Sequence, residues 1–436
     1  MDQWVGILSI AAIVMLVYSG MHVAVALGLT SIVGIWLIHG RLSVALGLLS
    51  QGALDSLADY NLAVIPLFAL MGILVSVGGL GKDAFDVAAQ AFRPVRGGLG
   101  IATVAANAVF AATTGLSVAS AAVFTRIAVP EMVRHGYRLR FAVGVVAGSS
   151  VLGMLIPPSL LFILYGIITE TSIGALFLAG IVPGLMLVVV YSIYIFAIAY
   201  FVPDWVIERQ THEDTNGRMG PLSAINKLFP TTLLVLIVIG GIYGGVFTPT
   251  EAGAVGAFAA LVIVVARGAV GPKEIWRVLV ETGQITVSVC ILFVAATVYS
   301  RMLAFTGLPD ALAQWLGHLD VSFTWAVIAF IVVLLLLGTI IDAGSIMLIT
   351  VPVMMPILNQ FNADLIWFGV VTVLAVEIGL LTPPFGLSVF VVKSSLKDTF
   401  KIGLNEIFAA SIPFAFMMLI VLALIVAFPW LPFIIN

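Results

Sequence analysis

Apolar residues come in long runs along this chain, separated by short polar stretches. A helix needs about 20 apolar residues to cross a bilayer. Runs of that kind lie at 4–20, 22–39, 62–80, 141–168, 174–201, 229–247, 251–267, 284–305, 365–392 and 406–431. Two more segments, 98–133 and 322–358, are too long for one span and are broken in the middle by small and polar residues. They are expected to be re-entrant helical hairpins that enter and leave on one side. Stretches 41–56 and 270–282 look amphipathic, with Lys273-Glu274-Ile275-Trp276-Arg277 in the second, and are expected to lie flat at the interface. The polar linker is 204–228, with Asp204, Glu208, Arg209, Glu213, Asp214, Arg218 and Lys227.

Two stretches about 220 residues apart share one layout. The first holds Ala112-Thr113-Thr114-Gly115-Leu116-Ser117, then Val129-Pro130-Glu131-Met132, then Leu155-Ile156-Pro157-Pro158. The second holds Gly338-Thr339-Ile340-Ile341-Asp342, then Val351-Pro352-Val353-Met354, then Leu381-Thr382-Pro383-Pro384. Lipid offers no partner to unpaired backbone, so helices broken at membrane depth belong where protein or a cavity surrounds them. Breaks at matching positions of two halves point to a transport site. The likeness runs further. His39-Gly40 matches Arg267-Gly268 at an offset of 228, Pro157 and Pro383 differ by 226, and Phe177–Pro183 resembles Phe408–Pro413. The fold expected is an all-α polytopic membrane protein of two repeats, 1–203 and 229–436, joined by a cytoplasmic linker, 204–228. Each repeat has five spans and one hairpin. Five is odd and a hairpin does not change side, so the second repeat is expected to be inverted.

Composition agrees with that pattern. The 436 residues are 62% hydrophobic and 9% charged, with mean hydropathy +1.23, against about 25% charge in a soluble domain. A barrel would show short alternating segments instead. The net charge of −3 gives no electrostatic case for nucleic acid. One cysteine, Cys290, excludes an internal disulfide and a cysteine metal site. His22, His39, His135, His212 and His318 are scattered without ligand spacing. The run from Trp4 to Tyr18 lacks a basic leader and a cleavage site, so it reads as a retained span. Lys and Arg cluster at 82–96, 134–140, 209–227, 267–277 and 393–401, which the span order puts on one side, the cytoplasm. Arg41 breaks this rule, and Arg301 lies near an outer end. Both termini then face outward.

The breaks carry the candidate chemistry. Sodium is a hard cation, and a broken helix frees carbonyl oxygens for it. The first tip offers Thr113, Thr114, Gly115, Ser117 and Ser120; the break before Pro157-Pro158 offers Gly148, Ser149, Ser150 and Gly153. The second tip offers Gly338, Thr339, Asp342, Gly344 and Ser345; its partner break offers Glu377, Gly379 and Thr382 before Pro383-Pro384. One cation site per half is expected, from Thr113, Thr114, Gly115, Ser117, Ser149, Ser150 and Gly153, and from Gly338, Thr339, Asp342, Gly379 and Thr382. Ser120, Pro157, Pro158, Ser345, Glu377, Pro383 and Pro384 are the candidates beside the substrate. The plainer alternative is that small residues allow close packing and that Ser and Thr bond back to their own helix. Asp342 and Glu377 are the acidic residues placed inside the bilayer, where carboxylates are costly and functional by default. Asp342 also fits the N-cap of a half-helix starting near Ala343. Thr248-Pro249-Thr250-Glu251 reads as a capping box, and Glu131 as a solvated surface residue. The sequence holds no nucleotide loop, nucleophile elbow or HExxH motif, so an ATP-driven pump or a membrane hydrolase is unsupported.

Several motifs in order resemble a known family. These are Ile65-Pro66-Leu67-Phe68, the stretch 115–120 leading to Val129–Met132 and His135-Gly136-Tyr137, Ile156–Ser159, Gly244–Ala252, and Gly379–Gly386. Together they resemble the large membrane subunit of tripartite ATP-independent periplasmic (TRAP) transporters, over nearly the whole chain. No four-span extension precedes Met1, so the family's small membrane subunit is expected as a separate chain. The resemblance implies an elevator-type secondary transporter of the bacterial inner membrane and not an enzyme. It implies import of an organic acid, such as a C4-dicarboxylate or a sialic acid, by sodium symport. It also implies two partners, a small membrane subunit and a periplasmic substrate-binding protein, and no cofactor beyond sodium as coupling ion. The open alternatives are a stand-alone symporter and proton coupling through Asp342.

Overall fold

The computed structural model describes residues 2–208, 219–318, 322–384, 386–396 and 400–435. Of the residues named above, Arg209, His212, Glu213, Asp214, Arg218 and Phe385 lie outside the described residues. Among those described, all regular structure is helical apart from one isolated bridge between Tyr137 and Ile207. The helices are α1 (Asp2–Tyr18), α2 (Val23–His39), α3 (Leu42–Ala58), α4 (Val64–Val77), α5 (Leu80–Ala91), α6 (Gly98–Thr114), α7 (Ser117–Arg134) and α8 (Leu139–Ser150). Next come α9 (Leu152–Leu155), α10 (Leu160–Thr169), α11 (Ile173–Phe201), α12 (Pro203–Val206), α13 (Pro221–Val235), α14 (Gly241–Tyr243) and α15 (Pro249–Ala266). The last are α16 (Pro272–Thr306), α17 (Leu308–His318), α18 (Phe323–Gly338), α19 (Ala343–Gln360), α20 (Leu365–Gly379), α21 (Leu387–Ser395) and α22 (Leu404–Ala427).

Eight helical runs among the described residues are long and apolar enough to cross a membrane. Several shorter helices, including α6, α18 and α20, are equally apolar. Segments 98–133 and 322–358 each contain a helix–turn–helix pair, α6–α7 turning at Gly115-Leu116 and α18–α19 turning through Thr339–Asp342. Both expected breaks are present too. The run from α8 to α10 is interrupted around Pro157-Pro158, and α20 stops at Gly379 ahead of Pro383-Pro384. Both Pro-Pro peptide bonds are cis. Local signals act as the sequence suggests: Thr248 and Glu251 form the capping box that starts α15, and Asp342 caps α19.

One expectation is corrected. The stretch 270–282 is not a separate interfacial segment: from Pro272 onward it is the first part of α16, a continuous helix of 35 residues. Pro272 sits in its first turn, where a missing N–H costs nothing, and no later proline interrupts it. The helix is about 52 Å long at 1.5 Å per residue.

Packing places α2, α3 and α4 around α16, with α15 on α4. A second set, α6 to α8, α11, α18, α20 and α22, packs mainly within itself. The two sets meet directly where α4 lies against α6, and α19 lies between α10 and α16. Large apolar side chains on α1, α2, α11 and α13 point outward, Ile193 and Phe229 among them. In a chain of this hydropathy that surface is lipid-facing. At the basic end, Arg267 pairs with Asp83 at 2.6 Å and Lys227 with Asp86 at 2.6 Å. Arg301, the basic residue near an outer end, pairs with Asp55 at 2.7 Å.

Candidate functional site

The first hairpin tip is built by a glycine. Gly115 has φ +65°, which ends α6 in the left-handed region and lets the chain reverse. A Cβ there would also stand 2.5 Å from the carbonyl oxygen of Pro158. Leu160 N–H donates to the Gly115 carbonyl at 3.2 Å, so the tip is bonded to the far side of the break. Gly153 repeats this close approach, because a Cβ there would be 2.8 Å from the Leu116 carbonyl oxygen. Across the break itself, the Ser159 hydroxyl donates to Met154 O and accepts from Phe162 N. The Ser159 hydroxyl and the Gly115 carbonyl thus take up three backbone groups at the break: Met154 O, Phe162 N and Leu160 N.

Hydroxyls near this tip divide into two kinds. Those of Thr113 and Thr114 donate to Phe110 O at 2.8 and 3.0 Å, and that of Ser150 to Ala147 O at 2.8 Å. They bond back to their own helices. Ser117 and Ser120 are fully buried, and their hydroxyls have no hydrogen-bond partner among the described residues. Ser149 accepts from Asn107 Nδ2 at 2.6 Å, while Asn107 Oδ1 has no hydrogen-bond partner among the described residues.

Glu377 completes this cluster from the other half of the chain. Its side chain is buried, 1% exposed, and neither carboxyl oxygen has a hydrogen-bond partner among the described residues. The Ser117 hydroxyl lies near it, and the Tyr191 phenol is within reach of its charge. The Tyr191 oxygen is also buried, with no hydrogen-bond partner among the described residues. Where α11 packs on α20, with Ser117 at the start of α7 close by, a carboxyl group and two hydroxyls are thus collected without hydrogen-bond partners among the described residues, and leaving such groups unpaired is costly. The sequence grouped Glu377 with the second hairpin; the structure turns it toward the first. Sequence reasoning also passed over Asn107 and Tyr191. Asn107 carried a signal, an amide inside an apolar span. Tyr191 carried none, because its helix is apolar on all sides.

The second tip is built differently. Asp342 caps α19, its Oδ2 accepting from Ser345 N at 3.0 Å and its Oδ1 from the Ser345 hydroxyl at 2.5 Å. The Thr339 and Thr382 hydroxyls bond back to Leu336 O and Ile378 O, at 2.7 and 2.8 Å. Below the tip, Gly338 and Gly379 cross so closely that a Cβ on Gly338 would lie 2.6 Å from the Gly379 Cα. Gly344 is half-buried, while Asp342, Pro383 and Pro384 are exposed. The structure thus brings Gly338 and Gly379 together and leaves Asp342 at a surface. Gly148 sits elsewhere, against the ring of Phe414. Among the described residues no group of His, Cys, Asp and Glu could form a metal centre of that kind.

Two helical hairpins set against two broken helices, in an apolar all-helical chain, define a multi-pass membrane protein of the transporter class. The family model for the DctM component of the tripartite ATP-independent periplasmic transporter matches residues 10–431, and the chain belongs to that family. The chain is 34% identical to the C4-dicarboxylate TRAP transporter large permease protein DctM of Pseudomonas aeruginosa, over 85% of this chain and 84% of that one. It is 31% identical to the sialic acid TRAP transporter large permease protein SiaM of Vibrio cholerae, over 95% and 94%. It is 30% identical to the ectoine TRAP transporter large permease protein TeaC of Halomonas elongata, over 96% of each chain. In shape it is similar to the YdaH transporter of Alcanivorax borkumensis, with TM-score 0.58 and 15% identity, covering 87% of this chain and 89% of that one.

Proposed function

We propose that this chain is the large membrane subunit of a sodium-coupled importer of an organic acid, with a carboxylate as the expected cargo. A periplasmic binding protein delivers the substrate, and a small membrane subunit braces the scaffold. The helices packed around α16 form that scaffold, and the hairpins with their broken helices form a body that slides against it. Cation sites are assigned to the space between each hairpin tip and its neighbouring break, with carbonyl and hydroxyl oxygens as the ligands. The observation that carries this reading is the seating of the first tip on the break, through Gly115, Pro158 and Leu160. It needs no ATP: one charge moved across 100 mV contributes about 2.3 kcal/mol. Relatives named for C4-dicarboxylate, sialic acid and ectoine are about equally similar, so the cargo is set by direct assay. The test is uptake of labelled succinate or sialic acid into proteoliposomes holding both membrane subunits, with the binding protein outside. Uptake should follow an inward sodium gradient and collapse in potassium. Uptake undiminished without sodium would overturn the coupling.

Glu377 favours a second reading, proton coupling. It is a buried carboxyl group with no cationic partner among the described residues. Uptake driven by a pH gradient without sodium, and lost in Glu377→Gln, would select it. Asp342, the residue first suggested for that role, is bonded as an exposed helix cap.

A further inference from the structure

A crevice of about 260 Å³ opens at the basic end of the molecule, between the start of α8, the last turns of α11, and α22. Arg138 and Arg140 line it with Tyr194, Trp205, Ala409 and Phe414. Its floor is closed, because Phe414 packs edge-on against both Tyr191 and Tyr194, at 5.2 and 5.3 Å. Its rim is fixed by backbone bonds: Arg138 N donates to Val206 O and Glu208 N to Gly136 O, both at 2.8 Å. Both arginines are exposed, and neither forms an ion pair among the described residues. Trp205, 70% exposed, stands at the mouth. Nearby, Arg96 lies 5.0 Å over the ring of Tyr200 on the same stretch of α11. The matching place in the second half is a smaller crevice of about 190 Å³ at the start of α20. There Asp364, 226 residues after Arg138, accepts from Ile366 N and Trp367 N, and no arginine lines the crevice. The charge is therefore a property of one end and not of the repeated shape.

We infer that this crevice binds the phosphate headgroup of an anionic phospholipid. Guanidinium forks match phosphate oxygens in pairs, and a basic pocket between spans beside interfacial aromatics suits a lipid with a charged head and apolar tails. The Phe414 ring separates the occupant from Tyr191 of the Glu377 cluster, so the inference stands whatever is transported. The apolar lining from Ile198, Ala409 and Pro413 would receive the upper acyl chain.

The test uses the purified full chain in micelles doped with phosphatidylglycerol or phosphatidylcholine, read by native mass spectrometry and by melting temperature. Wild type should retain phosphatidylglycerol in preference and melt several degrees higher in it. Arg138→Gln with Arg140→Gln should lose the preference while melting like wild type in phosphatidylcholine. Ala409→Trp, which fills the crevice and keeps both arginines, should lose it as well. Lys273→Gln with Arg277→Gln should keep it. Full retention in Ala409→Trp, or equal loss in the Lys273 and Arg277 control, would overturn the site. So would inorganic phosphate alone reproducing the wild-type shift, which would assign the crevice to a free anion.

Discussion

The two hairpin tips repeat one sequence layout but sit differently in the molecule. At the first, Thr113, Thr114, Ser117 and Ser120 are buried, and the turn is bonded to the chain beyond the Pro157-Pro158 break. At the second, Asp342 and both prolines of Pro383-Pro384 are exposed, and close contact is made one turn lower, where Gly338 crosses Gly379. The first tip is sealed by backbone contact at its apex; the second is held at its neck and free at its apex. Seal and opening follow from which residue makes the turn. Gly115 allows the chain to approach Pro158 with nothing between them, whereas the second turn ends on Asp342, whose carboxylate serves its own helix. The lesson is that a repeated break supplies a place for polar groups, and the packing around it decides whether water reaches them.

That contrast can be broken by substitution. The largest effect is expected at Gly115→Ala. The left-handed backbone costs about 1–2 kcal/mol for a residue with a Cβ, and the collision with Pro158 adds about 1–3 kcal/mol. A clear fall in melting temperature checks this, and wild-type stability would show that the apex is not sealed. Next comes Gly338→Ala, which overpacks the glycine crossing by about 1–3 kcal/mol without any left-handed penalty. It should be milder than Gly115→Ala in the same melt. Third, Asp342→Ala should cost about 1 kcal/mol for the lost cap, whereas Asp342→Asn should cost only a few tenths, since Asn caps equally well. A large loss in Asp342→Asn would show that the charge has a role beyond capping. The smallest stability change is expected at Ser117→Ala. It removes a buried hydroxyl with no partner among the described residues, so melting should be unchanged or slightly higher. Uptake should nevertheless fall more than in Thr339→Ala, whose hydroxyl only serves its own helix. Equal uptake in the two variants would remove the special status of the first tip.

Much of the architecture was legible because its signals are local. Run lengths marked the helices, Gly115 and the Thr339–Asp342 turn marked the hairpins, and double prolines marked the breaks. Caps were legible for the same reason: Thr248 with Glu251, and Asp342 before Ala343, need only their next few residues. The continuity of α16 was missed because charged and apolar stretches were divided by polarity, although the backbone has no stop between them. The candidate site was legible only in outline. Ser117 and Glu377 were both singled out, but in different halves.

The sequence by itself determined that this chain is helical, membrane-embedded, and interrupted at two matching places, because helix formation and its termination depend on neighbours a few residues away. Only the tertiary structure decided that Glu377 lies near Ser117 and within reach of Tyr191, that one tip is sealed and the other open, and that Arg138 and Arg140 share a crevice with Trp205. The reason is physical. A span that is apolar on every side carries no facing signal in its sequence. Which of its rare polar side chains meet is settled when small residues such as Gly153, Gly338 and Gly379 let particular backbones come into contact.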